Sequence, residues 1–184
     1  MVRITRVKIP RTNKETHRIG PIENLFRKYW TRIDGIGVRC HPVVDPFARN
    51  CSWAGKFTND INIDSGANYH MDALDFLQKM SNEHRTFHIG ILDPPFSARQ
   101  ANESYGGSGA NLYASNSPRL RKIEEKICRL IVPGGHIIKF GYNSNPPSSN
   151  MELVEVKMLS FGGVVNDWIC SVWVQPNHTL GDFS

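Results

Sequence analysis

The chain has 184 residues, 40% of them hydrophobic, and a formal net charge of +5, enough for one well-formed core and too little for two. No apolar stretch approaches the length of about eighteen residues that spans a bilayer, and no hydrophobic run follows the basic N-terminus, so neither a membrane span nor a signal peptide is expected. Four widely separated cysteines (Cys40, Cys51, Cys128, Cys170), with no Cys-x-x-Cys pair and no histidine at zinc-finger spacing, argue against a structural metal and suit the reduced thiols of a cytoplasmic protein.

The charge is unevenly placed. Residues 1–40 hold ten Lys or Arg against three acids, leaving the rest of the chain slightly acidic. Residues 1–20 read as a basic N-terminal arm and residues 21–184 as a single domain. A basic arm on a near-neutral body is the footprint of a polyanion binder, because each Lys or Arg beside a phosphate releases counterions. A solvated leader is the bland alternative for the same residues.

In chain order, Arg3 to Lys8 alternates polar and apolar side chains, the pattern of a short edge strand or an extended arm. The stretch from Pro10 to Gly20 is polar and turn-rich. A helix is predicted from Pro21, with proline in the first turn, Glu23 near the positive end, and Ile22, Leu25, Phe26, Tyr29 and Trp30 at helical spacing. Gly35-Ile36-Gly37 ends it. His41 to Phe47 and Lys56 to Asn62 are predicted strands, each carrying an acid near its end, Asp45 and Asp60. Tyr69-His70-Met71-Asp72 leads into a helix with Leu74, Phe76, Leu77 and Met80 on one face, and the apolar run Phe87 to Leu92 is a strand that delivers Asp93. Ser97 to Asn116 is a long loop rich in Gly, Ser, Asn and Tyr, the length of a functional lid or of a disordered segment. Ser117 caps a helix with Pro118 at its first position and Leu120, Ile123, Ile127, Leu130 and Ile131 on its buried face. Pro133-Gly134-Gly135 closes that helix and turns into the strand His136 to Phe140. After a polar loop, Asn143 to Asn150, the segments Leu153 to Ser160 and Asp167 to Val174 form a hairpin around Phe161-Gly162-Gly163. Alternating strands and helices argue for a mostly parallel sheet with crossover helices, whose ligand sits beyond the carboxyl ends of the strands.

The strongest chemical signal is Asp93-Pro94-Pro95-Phe96. A buried strand that ends in an acid, two stiff prolines and an aromatic ring holds a carboxylate, a backbone carbonyl and a flat face at one sheet edge. Those groups suit a planar substrate with an amino group, held by acceptors at its edge and by a ring against its plane. A proline-rich turn that merely closes a strand is the competing reading, and it loses force because Asp45, Asp60 and Asp72 close three further elements.

The series Asp45-Pro46-Phe47, Asn59-Asp60-Ile61-Asn62, Asp72-Ala73 and Asp93-Pro94-Pro95-Phe96 resembles the motifs of class I S-adenosylmethionine-dependent methyltransferases. It is most similar to the amino-methyltransferases that modify the exocyclic nitrogen of adenine or cytosine in DNA. The resemblance spans residues 42–174 and implies a Rossmann-like fold: a mostly parallel seven-stranded sheet with a C-terminal antiparallel hairpin and helices on both faces. It implies S-adenosyl-L-methionine as cofactor, with Asp45, Pro46 and Phe47 at its methionine part, Asp60 and Ile61 at its ribose and neighbouring surface, and Asp72 and Ala73 at its adenine. It also implies that Asp93 and the Pro94 carbonyl, on the rigid Pro94-Pro95 turn, accept hydrogen bonds from the target amino group while Phe96 stacks on a flipped or single-stranded base.

Two departures from the family pattern stand out. Where its first motif continues into a glycine-rich turn, this chain has Ala48-Arg49-Asn50-Cys51-Ser52-Trp53, so Arg49 or Asn50 would meet the cofactor by side chain. No separate target-recognition domain fits between Asp45 and Asp93 or after the last strand. The leading expectation is a minimal, phage-like adenine-N6 DNA methyltransferase, a monomer or a homodimer, with nucleic acid as partner and DNA ahead of RNA. An RNA methyltransferase acting on adenine N6 or guanine N2 is the next reading, and a non-catalytic nucleic-acid-binding relative is the alternative from another class.

Overall fold

The computed structural model describes residues 1–9, 16–34, 37–40, 42–95, 117–160 and 167–177. The predicted loop Ser97–Asn116 and the turn Phe161–Gly163 lie outside the described residues. Strand β1 (Arg3–Lys8) precedes a short 3-10 turn at Thr16–Arg18, helix α1 (Gly20–Trp30), β2 (Thr31–Asp34), β3 (Gly37–Cys40) and β4 (Val43–Val44). Helix α2 (Ala73–Asn82), β5 (Phe87–Leu92), α3 (Pro118–Leu130), β6 (Ile131–Gly141), β7 (Glu152–Ser160) and β8 (Trp168–Val174) follow. Six strands form one sheet in the order β1-β7-β8-β6-β5-β4, while β2 and β3 make a separate two-stranded sheet.

The pairs β1–β7, β4–β5 and β5–β6 are parallel, whereas β6–β8 and β7–β8 are antiparallel. The expected C-terminal hairpin is therefore present, and among the described residues the sheet is a mixed one of six strands where seven, mostly parallel, were expected. The predicted strand His41–Phe47 shrinks to Val43–Val44 because Pro42 and Pro46 bracket it and lack the N–H that a ladder needs. The predicted strand Lys56–Asn62 shrinks to isolated parallel bridges, Asp45 with Thr58 and Asn59 with Tyr69. There Asp60 Oδ1 accepts from the Asn62 N–H at 2.9 Å and Asn62 Oδ1 from the Asp64 N–H at 2.9 Å. Such local side-chain turns compete with a strand ladder for the same backbone groups.

The helices follow their local signals. Asp72 caps α2 by accepting from the Leu74 N–H at 2.9 Å, and Ser117 caps α3 by accepting from the Leu120 N–H at 3.0 Å, with Pro118 in the first turn. Helix α3 stops at Leu130, and Pro133-Gly134-Gly135 lies inside β6 and does not close the helix. Those residues swell into a bulge: Ile131 faces Phe87, and His136 faces Ile89, so β6 carries several residues that β5 does not match. Gly134, at φ +76°, and Gly135 are held there by exchanging backbone hydrogen bonds of 2.8 Å with Gln175. The hairpin β2–β3 occupies residues where the sequence predicts only the end of a helix.

Side chains from α2 and α3, including Phe76, Leu77, Met80, Ile123 and Ile127, pack on one face of the sheet with Phe87, Leu92 and Ile137. Ile22, Leu25 and Phe26 of α1 pack on the other face with Ile89, Ile91, Ile138 and Phe140. Ile123 and Ile127 are fully buried, and each such side chain contributes about 1.5–3 kcal/mol by leaving water. This helix–sheet–helix sandwich fixes the carboxyl ends of β4 and β5 as one common edge, with a different helix above each face. No described helix is long and apolar enough to cross a membrane. Cys51, Cys128 and Cys170 are buried free thiols, and among the described residues no cluster of three His, Cys, Asp or Glu has the geometry for a metal ion.

Candidate active site

Asp45 and Asp93 reach the same sheet edge because β4 and β5 are adjacent and parallel, the register setting Asp45 level with Ile91 and Asp93 two residues further on. Beyond their ends lies a cavity of about 240 Å³ lined by Thr16, Phe26, Asp45, Phe47, Ala48, Arg49, Asn50, Cys51, Ile91, Asp93 and Phe140. The side-chain alternation of β5 continues past its end: Ile91 packs on the α1 face, Leu92 on the opposite face, and Asp93 returns to the α1 side. Pro94 and Pro95 line a second cavity of about 170 Å³ together with Leu120, Arg121, Glu124, Lys139, Phe140, Gly141, Tyr142, Asn143 and Asn145. The Asp93-Pro94-Pro95 corner therefore stands between two cavities. Phe96 lies outside the described residues.

Asp45 is buried, and its Oδ1 accepts from the Phe47 N–H at 3.0 Å. Burial drives its carboxyl well above the ordinary carboxylate range; the Phe47 hydrogen bond opposes the shift, and the charges of Asp93 and Asp60 add to it. Asp93 is less enclosed, and burial lifts it to about 6 against a hydrogen bond from Thr16 and the positive charge of Arg49. Two acids that are costly to ionise thus face one small space. A cationic ligand restores their ionisation, so this cavity favours an ammonium group over a neutral or anionic one.

The remaining predicted residues have other surroundings. Asp60 is buried and ties two turns together: Oδ2 accepts from the Arg49 N–H at 3.1 Å and Oδ1 from the Asn62 N–H at 2.9 Å. Pro46 is buried, and its carbonyl accepts from Asn59 Nδ2 at 3.2 Å. The Asn59 amide also donates to the Met71 carbonyl at 3.0 Å and accepts from the Met71 N–H at 3.2 Å, clamping the three acid-bearing segments to one another. Asp72 caps α2 and forms an ion pair with Arg119 at 2.6 Å; Ala73 is buried in the first turn of that helix. Neither lines the cavity of Asp45 and Asp93. Ile61 is an exposed apolar side chain, with 45% of its surface open to solvent, and lines neither cavity.

The sequence reading missed Thr16, Phe26 and Phe140, which close the first cavity from the N-terminal segment, α1 and β6. Nothing in the polar stretch around Thr16 signals that it reaches Asp93. It also missed the buried pair Glu124–Lys139, at 2.7 Å, whose lysine further donates to the Asn145 carbonyl at 3.1 Å. A signal existed there: Glu124 interrupts the apolar face Leu120-Ile123-Ile127, and Lys139 interrupts the buried strand Ile137-Ile138-Phe140.

No protein-family model matches the chain, and no curated protein matches it. Among solved structures, the N-methyltransferase NodS from Bradyrhizobium japonicum WM9, in complex with S-adenosyl-L-homocysteine, aligns with a TM-score of 0.57 at 10% identity over 91% of this chain and 91% of that one. SMU.776, a candidate methyltransferase complexed with SAH, aligns with a TM-score of 0.52 at 14% identity over 73% of this chain. A candidate S-adenosylmethionine-dependent methyltransferase from Streptococcus mutans aligns with a TM-score of 0.49 at 15% identity over 73% of this chain. The chain spans only 45% and 44% of the lengths of those last two structures. At such identities the likeness to NodS and SMU.776 speaks for architecture alone: the chain has a methyltransferase-like α/β fold.

Proposed function

We propose that the protein is an S-adenosylmethionine-dependent methyltransferase that modifies the exocyclic amino group of a nucleobase, adenine N6 in DNA before the RNA substrates. The observation that carries this reading is the placement of Asp93 and Asp45 on one cavity, with Pro94 and Pro95 turning away from it into a second. The cofactor fits the chemistry of that donor set, because its amino-acid end bears an ammonium group and the two enclosed acids need a cation. When bound, it supplies an electrophilic methyl group on a sulfonium.

The protein's own residues do the rest by position and charge. Asp45 holds the ammonium group. The first cavity, at about 240 Å³, is smaller than the range of about 300–1,000 Å³ typical of sites for whole small molecules, which suits the amino-acid end, with the exposed Ile61 left for the adenosine. The Asp93 carboxylate accepts a hydrogen bond from the target amine, whose lone pair is otherwise delocalised into the base, and so favours a nucleophilic geometry. An Asp93 that titrates near 6 is ionised at neutral pH and so has that acceptor available. The basic residues of the N-terminal segment, of which Arg3, Arg6 and Lys8 line up along β1, would meet phosphates without reading sequence.

The test is to incubate the full chain with methyl-labelled S-adenosylmethionine and DNA or RNA, single- and double-stranded, and to identify the labelled nucleoside by mass spectrometry. Label on N6-methyladenine in DNA supports the reading, and label confined to RNA moves it to the second substrate class. With labelled DNA in hand, Asp93→Ala should abolish transfer and change cofactor affinity only modestly. Near-normal turnover in that variant would overturn the role given to Asp93, and failure of the intact chain to bind cofactor in calorimetry would remove the enzyme reading altogether.

A further inference from the structure

Arg49 stands where the resembling enzymes carry a glycine-rich turn, and it adopts the left-handed backbone that glycine takes freely, with φ +51°. An arginine pays a steric cost there, so something must hold it. Its N–H donates to Asp60 Oδ2 at 3.1 Å, the preceding Ala48 N–H donates to the Asn59 carbonyl at 2.8 Å, and the following Asn50 side chain accepts from the Gly66 N–H at 3.1 Å. The turn is thus pinned on both sides of residue 49. Its side chain is left exposed at the cavity that Asp45 and Asp93 line. Among the described residues its guanidinium forms no hydrogen bond or ion pair.

The cavity consequently presents two enclosed acids and one exposed cation with its five donors unspent. That arrangement is complementary to a zwitterion: an ammonium group against Asp45 and a carboxylate against the arginine, whose planar fork matches carboxylate oxygens two at a time. Building on the reading of the site as a cofactor pocket, we infer that Arg49 binds the α-carboxylate of the cofactor's amino-acid end. By this assignment a side chain makes a contact in place of the close backbone approach that a glycine turn allows. The competing account gives Arg49 one task, to offset the negative charge of Asp93 and Asp45, with no contact to ligand.

The two accounts separate when the carboxylate is removed from either side. Calorimetry on the full chain would compare S-adenosyl-L-homocysteine with its decarboxylated analogue, in which a plain 3-aminopropyl group replaces the amino-acid end, for the native protein, Arg49→Gly and Arg49→Lys. Glycine suits the left-handed backbone, so the first variant should keep its fold, which a thermal melt verifies. If Arg49 holds the carboxylate, Arg49→Gly weakens S-adenosyl-L-homocysteine by about tenfold or more, the scale of an exposed charge-assisted contact, and changes the analogue by less than about threefold. Arg49→Lys should fall between, because an ammonium lacks the fork. Equal weakening of both ligands overturns the assignment, and tighter binding of both hands Arg49 to charge balance. If the native protein binds neither ligand, the cofactor reading and the assignment fall together; if it binds both with one common loss, only the assignment falls.

Discussion

Asp93→Asn isolates the electrostatic cost of the site, because it removes the charge while keeping the shape and an oxygen that can still accept from Thr16. In the native fold the Asp93 carboxyl is lifted from 3.8 to about 6. Between those two values the folded protein holds a proton that the unfolded chain has released, so native stability falls as pH rises through this window and is level above it. The displacement is about two pH units, worth about 3 kcal/mol at 1.36 kcal/mol per unit. Asp93 keeps partial solvent exposure, and screening reduces the figure to roughly 1–2 kcal/mol. Urea unfolding of native and Asp93→Asn proteins at pH 4, 5, 6, 7 and 8 should give nearly equal stabilities at pH 4 and a gap in favour of the variant that grows to about pH 7 and then holds. Comparing the two proteins at each pH cancels the titration of shared groups that do not feel the Asp93 charge; Asp45, which does, adds to the gap in the same direction, because losing the neighbouring charge makes it easier to ionise. A gap that stays flat from pH 4 to 8 would refute the claim that the fold desolvates this carboxylate.

Lys139→Met should cost up to about 3–5 kcal/mol by taking from buried Glu124 its 2.7 Å partner and leaving it only the longer Arg121 contact at 3.5 Å, and the double variant with Glu124→Leu should recover most of the loss; a melt showing the double variant no better than the single would deny that the pair acts as a unit. Gly135→Ala places a Cβ 2.7 Å from Ile131 Cγ2 and 2.9 Å from the His88 and Val132 carbonyl oxygens, and overpacking of this kind costs about 1–3 kcal/mol. An unchanged urea midpoint in that variant would mean that the β6 bulge relaxes freely. Replacing Arg3, Arg6 and Lys8 together by glutamine keeps β1 in the sheet and should reduce the logarithmic salt slope of DNA binding by up to about 2.7, at roughly 0.9 per phosphate contact; an identical slope would assign the β1 charges to folding or to a protein contact.

Helices α2 and α3 are legible in the chain because their determinants are local: Asp72 and Ser117 cap within three residues, and Phe76-Leu77-Met80 and Leu120-Ile123-Ile127 repeat at helical spacing. The run Phe87 to Leu92 is legible for the same reason, and with it the position of Asp93 at a strand end. Neighbour relations are another matter. Arg3–Lys8 has the alternation of an edge strand, but its partner β7 lies some 150 residues away, and only the closed sheet selects that pairing over other half-buried strands of similar character. The short β4 and the bridges at Thr58 and Asn59 could not be read as such, because their lengths are set by competition between ladder bonds and the proline and Asx turns beside them. Likewise the residue types Asp45, Asp60, Asp72 and Asp93 are visible in the chain, but their division of labour is not. The fold sets Asp45 and Asp93 on one cavity, commits Asp60 to two backbone amides, and pairs Asp72 with Arg119. The raised pKa of Asp45 and of Asp93 and the Glu124–Lys139 pair belong to tertiary structure alone, since a charge acquires its cost and its partner only when packing from distant segments takes water away.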